Sequence, residues 1–539
     1  MRNARWNRKE RAPGAESTGN MRPQGSRRIA ASRAARIQGD HSMRKETART
    51  VSGRSRRPEV RSSVWFRIGI IFLVAAVIAG AAIGIFYAVA GPQGFFLRRT
   101  AVMKTGNYAV DGAMMSYYYY DLYYAAMEED GDVYRAEGLD PARPLQDQTR
   151  KDGQSWYDYF MTDAIPYVQR ILVFAEAAYR HGDAAEAVDG DVEATLEALQ
   201  EEATTAGQSL ADYITERYGQ GVQEQDVRRA VFLSAYAYRR AGILAATVYT
   251  DAELEDAYQR NPSAFVAVDY IVYSVRAEVP DDATEEEMRE AYLKAETEAN
   301  RLAGAGSEGA FAAHMANLIR AENPGITSYR VTHMVSDAYV YGMALSNEDE
   351  ESRWLSDQRR APGDTVVLGT AGDYRVLYFR ARHERLTYHR ADMRQILYSY
   401  TDYQTALDTR AAAEAMREEF LAGTPTEEEF AALAQRLSAD AASVATGGLY
   451  TDIGYGELEK DLSDWLLDAA RIPGDTAVIQ SVLGYHVLYF VGFSERAVWE
   501  EQAAQVLQDE TYTEWLRESG FILYNSALTC LPRVTAALV

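Results

Sequence analysis

The chain is 539 residues long, 47% hydrophobic and 25% charged, with a formal net charge of −23 and a single cysteine, Cys530. That length calls for several domains, and one cysteine excludes any intrachain disulfide, so each domain must rest on its own core. Residues 1–67 carry 18 Lys and Arg against 5 Asp and Glu, a surplus of +13, which leaves −36 on the remainder; so acidic a body argues against nucleic acid as a partner and suits basic or neutral ones.

Residues 1–63 are rich in Arg, Ser, Ala and Gly and hold almost no aliphatic clusters. Such a composition cannot bury enough apolar surface to offset chain entropy, which predicts a disordered tail. Its arginines suit either nucleic acid or anionic lipid headgroups, and the next stretch favours lipid. Within residues 64–91, the run Ile68 to Ala90 is 23 residues without a charge, about 34 Å as a helix against a hydrocarbon core of roughly 30 Å. A single transmembrane helix is therefore expected. The larger positive charge precedes it, placing the N-terminus in the cytoplasm and everything after it outside the cell membrane. Ala88-Val89-Ala90 imitates a signal-peptidase site, but the apolar run is long for a signal peptide, and we read it as a retained anchor.

Residues 105–262 read as helical. Met114 to Met127 places Tyr117, Tyr118, Tyr119, Tyr120, Tyr123 and Tyr124 all around one helix. A helix apolar on every side is usually a buried one; the alternative is an aromatic wall of a peptide-binding groove. Helices over Val192–Thr205, Leu210–Tyr218, Val227–Val248 and Asp251–Tyr258 are expected to follow.

Two copies of one unit come next, over 264–385 and 388–495. Ile271-Val272-Tyr273-Ser274 echoes Ile396-Leu397-Tyr398-Ser399, and Phe311-Ala312-Ala313 echoes Phe430-Ala431-Ala432. Trp354 precedes Pro362-Gly363-Asp364-Thr365 by the spacing that separates Trp465 from Pro473-Gly474-Asp475-Thr476. Matches in one order at nearly one set of intervals imply a duplicated fold. Each copy reads strand, helices, strand, turn, strand, an α+β unit with a small antiparallel sheet. Pro-Gly suits a type II turn, and the closing run Tyr485-His486-Val487-Leu488-Tyr489-Phe490 has the β-branched and aromatic character of a half-buried strand. Residues 497–530 hold Trp499, Leu507, Tyr512 and Trp515 at helical spacing, a closing helix, with a frayed tail beyond Leu531.

The second copy resembles a parvulin-type (PpiC, or rotamase) peptidyl-prolyl isomerase domain. The resemblance rests on the opening strand Arg394-Gln395-Ile396-Leu397-Tyr398, the Phe430-Ala431-Ala432-Leu433-Ala434 helix, Ser438-Ala439-Asp440, the pair Gly447-Gly448, the Pro-Gly-Asp turn and Gly484-Tyr485-His486. The helical region before it and the closing helix resemble those of the SurA/PrsA class of foldases. The architecture thus implied is a helical chaperone region plus two parvulin-like domains, preceded by one transmembrane helix.

In that family a hydrogen-bonded floor lies under the peptide, and apolar residues of a short helix grip the proline. The resemblance gives His486 the final-strand histidine, Gln395 the place of the first-strand histidine, and Asp440 a place at or next to the Cys/Asp position, where Ala441 is the stricter alignment. Leu458, Leu462 and Trp465 are the implied substrate-binding residues. Taken without the resemblance, His486 reads as an ordinary sheet histidine, Asp440 as a turn cap and the three apolar residues as core. In the first copy Tyr270 and Arg375 stand at the two histidine positions, so that copy is expected to be inactive and structural. Amide rotation breaks no bond and needs neither cofactor nor metal, and His383 and His389 lack ligand spacing. The implied function is isomerase and foldase for unfolded or newly exported polypeptides at a bacterial cell membrane. Its alternative is a non-catalytic holdase, favoured by Gln395.

Overall fold

The computed structural model describes residues 94–280, 282–345, 349–403, 405–529 and 531–534. The basic tail (1–63), the expected transmembrane segment (64–91) and Cys530 lie outside the described residues. Among those described, no helix is long and apolar enough to cross a membrane.

The described chain opens with a short helix α1 (Phe95–Arg99) and two strands, β1 (Ala101–Lys104) and β2 (Ala109–Asp111). Helix α2 (Gly112–Ala136) begins where it does because the Asp111 carboxylate accepts the Ala113 and Met114 N–H groups at 3.1 and 3.0 Å, satisfying donors with no partner inside the helix. It is followed by α3 (Trp156–His181), α4 (Asp189–Thr205), α5 (Leu210–Tyr218), α6 (Glu224–Ala245) and α7 (Asp251–Arg260). The tyrosines of α2 are all buried. Several of their hydroxyls find carbonyls inside the core: Tyr118 donates to Ala230 at 2.6 Å, Tyr119 to Tyr157 at 3.1 Å and Tyr124 to Arg217 at 2.9 Å. So α2 is the central helix of this region. The groove-wall reading fails, because these rings face neighbouring helices rather than solvent.

The first copy is a four-stranded antiparallel sheet in the order β4-β3-β6-β5, made by β3 (Ala267–Arg276), β4 (Tyr339–Ala344), β5 (Thr365–Thr370) and β6 (Asp373–His383). Helices α8 (Glu285–Ala303) and α9 (Glu308–Glu322) pack on one face through Ala299, Leu302, Phe311 and Met315. Helix α10 (Ser328–Ser336) leads into β4, and α11 (Glu350–Ser356) covers the other face through Leu355.

The second copy repeats this topology as β8-β7-β10-β9, with β7 (His389–Ser399), β8 (Leu449–Ile453), β9 (Thr476–Gln480) and β10 (Gly484–Ala497). Helices α12 (Ala406–Ala422) and α13 (Glu427–Leu437) cover one face, and the short α14 (Lys460–Leu466) covers the other. Helix α15 (Val498–Glu518) then runs back along α7 and α3, where Tyr512 and Trp515 meet Phe174. Strand β11 (Ile522–Leu523) pairs antiparallel with β1. After a last turn of helix, α16 (Asn525–Leu528), residues 531–534 are held rather than frayed: Leu531 and Val534 are buried, and Tyr120 donates to the Pro532 carbonyl at 2.9 Å. The two ends of the described chain thus close on one core.

The registers of the two sheets correct one correspondence. Gln395 N–H donates to the Gly448 carbonyl and Val272 N–H to the Ala338 carbonyl, each at 2.9 Å. Met393 pairs with Phe490 and Tyr450, as Tyr270 pairs with Phe379 and Val340. Val272, not Tyr270, therefore occupies the Gln395 position of the first copy, and Tyr270 occupies that of Met393. The echo of Ile-Val-Tyr-Ser with Ile-Leu-Tyr-Ser misleads by two residues, a slip that leaves each side chain on the same face.

Candidate functional site

Side chains alternate along a strand, so Met393 and Gln395 of β7 share a face with His486, Leu488 and Phe490 of β10. The opposite face, with Ile396, Tyr398, Val487 and Tyr489, is sealed by α12 and α13. The site stands on the face that α14 only partly covers.

There the polar residues form one chain. His486 Nδ1 lies 2.7 Å from Gln395 Oε1, and its Nε2 lies 2.7 Å from Ser481 Oγ. Gln395 Nε2 donates to Asp440 Oδ2 at 2.8 Å. The same carboxylate oxygen accepts from Tyr450 at 2.8 Å and from the Ser443 hydroxyl, while Oδ1 accepts the Ala442 N–H at 3.2 Å. An ionised carboxylate only accepts, so the Gln395 amide must turn its NH₂ to Asp440 and its carbonyl to the imidazole. His486 then carries its proton on Nδ1, and Nε2 accepts from Ser481, whose oxygen in turn accepts the Leu483 and Gly484 N–H groups at 3.0 and 3.2 Å. The order of protons is fixed from Ser481 to Asp440.

Burial pushes His486 down from 6.5 to about 4, and the nearby Asp440 charge offsets this only in part. Burial works to raise the Asp440 carboxyl, yet the hydrogen bonds from Ser443, Gln395, Tyr450 and Ala442 together hold it below the usual carboxylate value. The floor at neutral pH is thus a neutral imidazole beside a carboxylate. A pH dependence follows. The unfolded chain takes up the histidine proton near 6.5 and the folded chain only near 4, so protons favour unfolding between those values. Stability is full above about pH 6.5 and is expected to fall by about 3 kcal/mol as pH drops to 4. Asp440, held below the usual carboxylate value, adds to the loss only at the acid end of that window, where the unfolded carboxyl begins to take up its proton. Urea unfolding of the wild type and His486→Gln across pH 4–7 checks this: the slope should be shallower in the variant, and equal slopes contradict it.

The backbone that carries the network depends on Gly448. Its φ is +74°, and a Cβ there would stand 2.2 Å from the Gln395 carbonyl oxygen. Only glycine lets the β8 entry approach β7 so closely.

Of the residues singled out from sequence, the structure brings His486, Gln395 and Asp440 into direct contact; Ala441 is exposed and outside the network. Asp440 also acts as a turn cap, so the two readings of it coexist. Leu462 is buried with Leu466, Leu488 and Phe490, whereas Leu458 and Trp465 are half-buried at the margin of that cluster. Ser443, Tyr450 and Ser481 were not singled out from sequence. The spacing Asp440-x-x-Ser443 and the Ser481 just before the final strand were the available signals. Asp440→Asn is expected to cost about 1–3 kcal/mol, because the amide cannot accept at both oxygen positions and a donor is left facing a donor. Its thermal midpoint beside the wild type measures this. In the first copy Val272 and Arg375 stand at the two key positions, and Arg375 is drawn to Glu351 at 2.8 Å; no equivalent network forms among them.

Away from this face, a cavity of about 370 Å³ lies in the helical region, walled by Met114, Val192, Phe232 and Leu233. The arginines at its mouth are paired, Arg229 with Asp111 and Arg228 with Glu193. Among the described residues, no group of three or more His, Cys, Asp or Glu gathers to hold a metal ion.

A small antiparallel sheet with one face sealed by helices, and a hydrogen-bonded floor beside a short apolar helix on the other, defines a parvulin-like unit. Residues 377–491 match the family model of the PPIC-type PPIASE domain, and this part of the chain is a domain of that type. Curated protein sequences give no match. Among solved structures, one of SurA-like chaperones from Campylobacter jejuni is 17% identical, covering 25% of this chain and 50% of that one, with a TM-score of 0.18; the chain spans half of that chaperone's length. The peptidylprolyl isomerase PrsA of Bacillus anthracis is 13% identical over 44% of this chain and 88% of that one, TM-score 0.18. The foldase protein PrsA of Streptococcus pneumoniae is 11% identical over 68% and 86%, TM-score 0.20.

Proposed function

We propose that the chain is a peptidyl-prolyl cis-trans isomerase and foldase, with the second copy as its catalytic unit. The observation that carries this is the chain Ser481–His486–Gln395–Asp440 lying within the matched PPIC-type segment, beside Leu458 and Trp465. A planar X-Pro amide keeps partial negative charge on its carbonyl oxygen through resonance, and the twisted amide loses it. A carboxylate-bearing floor disfavours the planar form more than the twisted one, which lowers the barrier of about 18–20 kcal/mol. No nucleophile is required. Clients would be unfolded or newly exported polypeptides. The charge-free run Ile68 to Ala90 after an arginine-rich head supports an anchor in a bacterial cell membrane with the acidic body outside.

The second reading is a holdase that binds extended chains without catalysis. Gln395 in place of an imidazole, and the apolar cavity of the helical region, favour it. A proline-isomerisation assay on the chain from residue 94, run beside an aggregation-suppression assay, separates the two. Acceleration of X-Pro exchange supports the isomerase. An uncatalysed rate together with suppressed aggregation supports the holdase.

A further inference from the structure

The first copy lacks the polar network, yet it reaches the short helix that flanks the network of the second. Glu459 is the residue before α14, the helix that bears Leu462 and Trp465. Its Oε1 accepts the Val482 N–H at 3.2 Å, next to Ser481, the hydrogen-bond partner of His486. Its other oxygen belongs to the first copy: Tyr329 donates to Oε2 at 3.3 Å, and His333 Nδ1 lies 3.2 Å from it, both from α10. The far nitrogen of His333 lies 3.2 Å from Asp337. A second contact lies beside the first. Tyr341 of β4 stacks on Tyr455 with centroids 5.5 Å apart, and Tyr455 meets Tyr388 at 4.9 Å at the edge of the apolar cluster that includes Leu462 and Leu466.

We infer that Tyr329 and His333 of the inactive copy are positioning residues for the active one, holding Glu459 so that it ties α14 to the Val482 backbone. This rests on the isomerase reading for its effect on rate, though not for its geometry. A carboxylate has freedom about its side-chain torsions when only one oxygen is engaged. With both engaged, in a setting where its charge is only one-fifth exposed, it fixes the start of α14 relative to the Val482 backbone. Burial, and then the Glu459 charge itself, push the Tyr329 phenol well up, so that it remains a donor at every physiological pH. The duplicated unit is then retained for the surface that its α10 and β4 present, not for a site of its own.

The test uses the full chain and two readouts. In Tyr329→Phe/His333→Ala, amide hydrogen exchange at Val482 is expected to speed by about tenfold, since one charge-assisted hydrogen bond is loosened. If the chain is an isomerase, its kcat should fall by several fold while KM for a short X-Pro peptide moves less. His333→Gln keeps a donor toward Glu459 and should restore both when Tyr329 is present. Faster Val482 exchange in a chain with no isomerase activity would retain the positioning role and remove the isomerase reading instead. Unchanged Val482 exchange in the double variant, or exchange that speeds equally at the sheet amides of β9 and β10, overturns the inference.

Discussion

His486→Ala is expected to lower X-Pro isomerisation by about a hundredfold, the scale at which loss of a preorganised hydrogen-bonding group is felt. The imidazole is the joint of the network, accepting a hydrogen bond from Ser481 and donating one to Gln395. Without it the Gln395 carbonyl loses its partner, the amide is free to turn, and Asp440 is left with Ser443, Tyr450 and the Ala442 N–H as its donors. Stability falls as well, by about 2–4 kcal/mol, from the unmade hydrogen bonds and the cavity left at a position only 6% exposed. Rate and stability are separated by measuring kcat/KM at a temperature where circular dichroism shows the variant folded. Wild-type kcat/KM in a folded variant would remove the second copy as the catalytic unit. Suppression of client aggregation, if it resides in the helical region, should survive the substitution.

Gly448→Val is expected to cost the second copy about 4 kcal/mol, the sum of left-handed strain in a β-branched residue and a backbone collision. The Cβ would meet the Gln395 carbonyl oxygen at 2.2 Å and the Ala434 Cβ at 3.1 Å. Neither neighbour is a flexible side-chain end, so β8 must part from β7 and take the Gly448 carbonyl away from the Gln395 N–H. Exchange protection at the Gln395 and His486 amides should fall by about a thousandfold, with loss of isomerisation. Gly456→Ala is the control: its φ is +85° but no atom stands within 4 Å of the added Cβ, so only about 1–2 kcal/mol of strain is expected. Equal effects of the two substitutions would show that strain, not the approach of β8 to β7, governs this position.

How far the site was legible depends on the kind of signal each residue carried. His486, Gln395 and Asp440 sit in ordered motifs; the contact of Gln395 with His486 follows once β7 and β10 pair, whereas Asp440 comes from the connection after α13. Ser481 and Tyr450 had no such frame. Each reaches the network from a short connection or an edge strand, where no periodicity marks a side chain as inward. Tyr270 was misplaced because an echo of four residues is weaker than a bulge: both sheets slip register near the β4 and β8 pairings, and only backbone hydrogen bonds reveal which residues correspond. For the tyrosines of α2, residue type alone could not separate a buried helix from a groove wall.

The sequence by itself determined the duplicated order of elements, the Pro-Gly-Asp turns and the charge division between head and body. These are local or compositional properties, set by backbone sterics and by burial within one element. Tertiary structure alone decided that Gln395 meets Asp440 across 45 residues and His486 across 91. It also decided that Tyr329 of one copy meets Glu459 of the other across 130. Such contacts depend on strand register and on how one packed unit rests against the next, and no local periodicity encodes either.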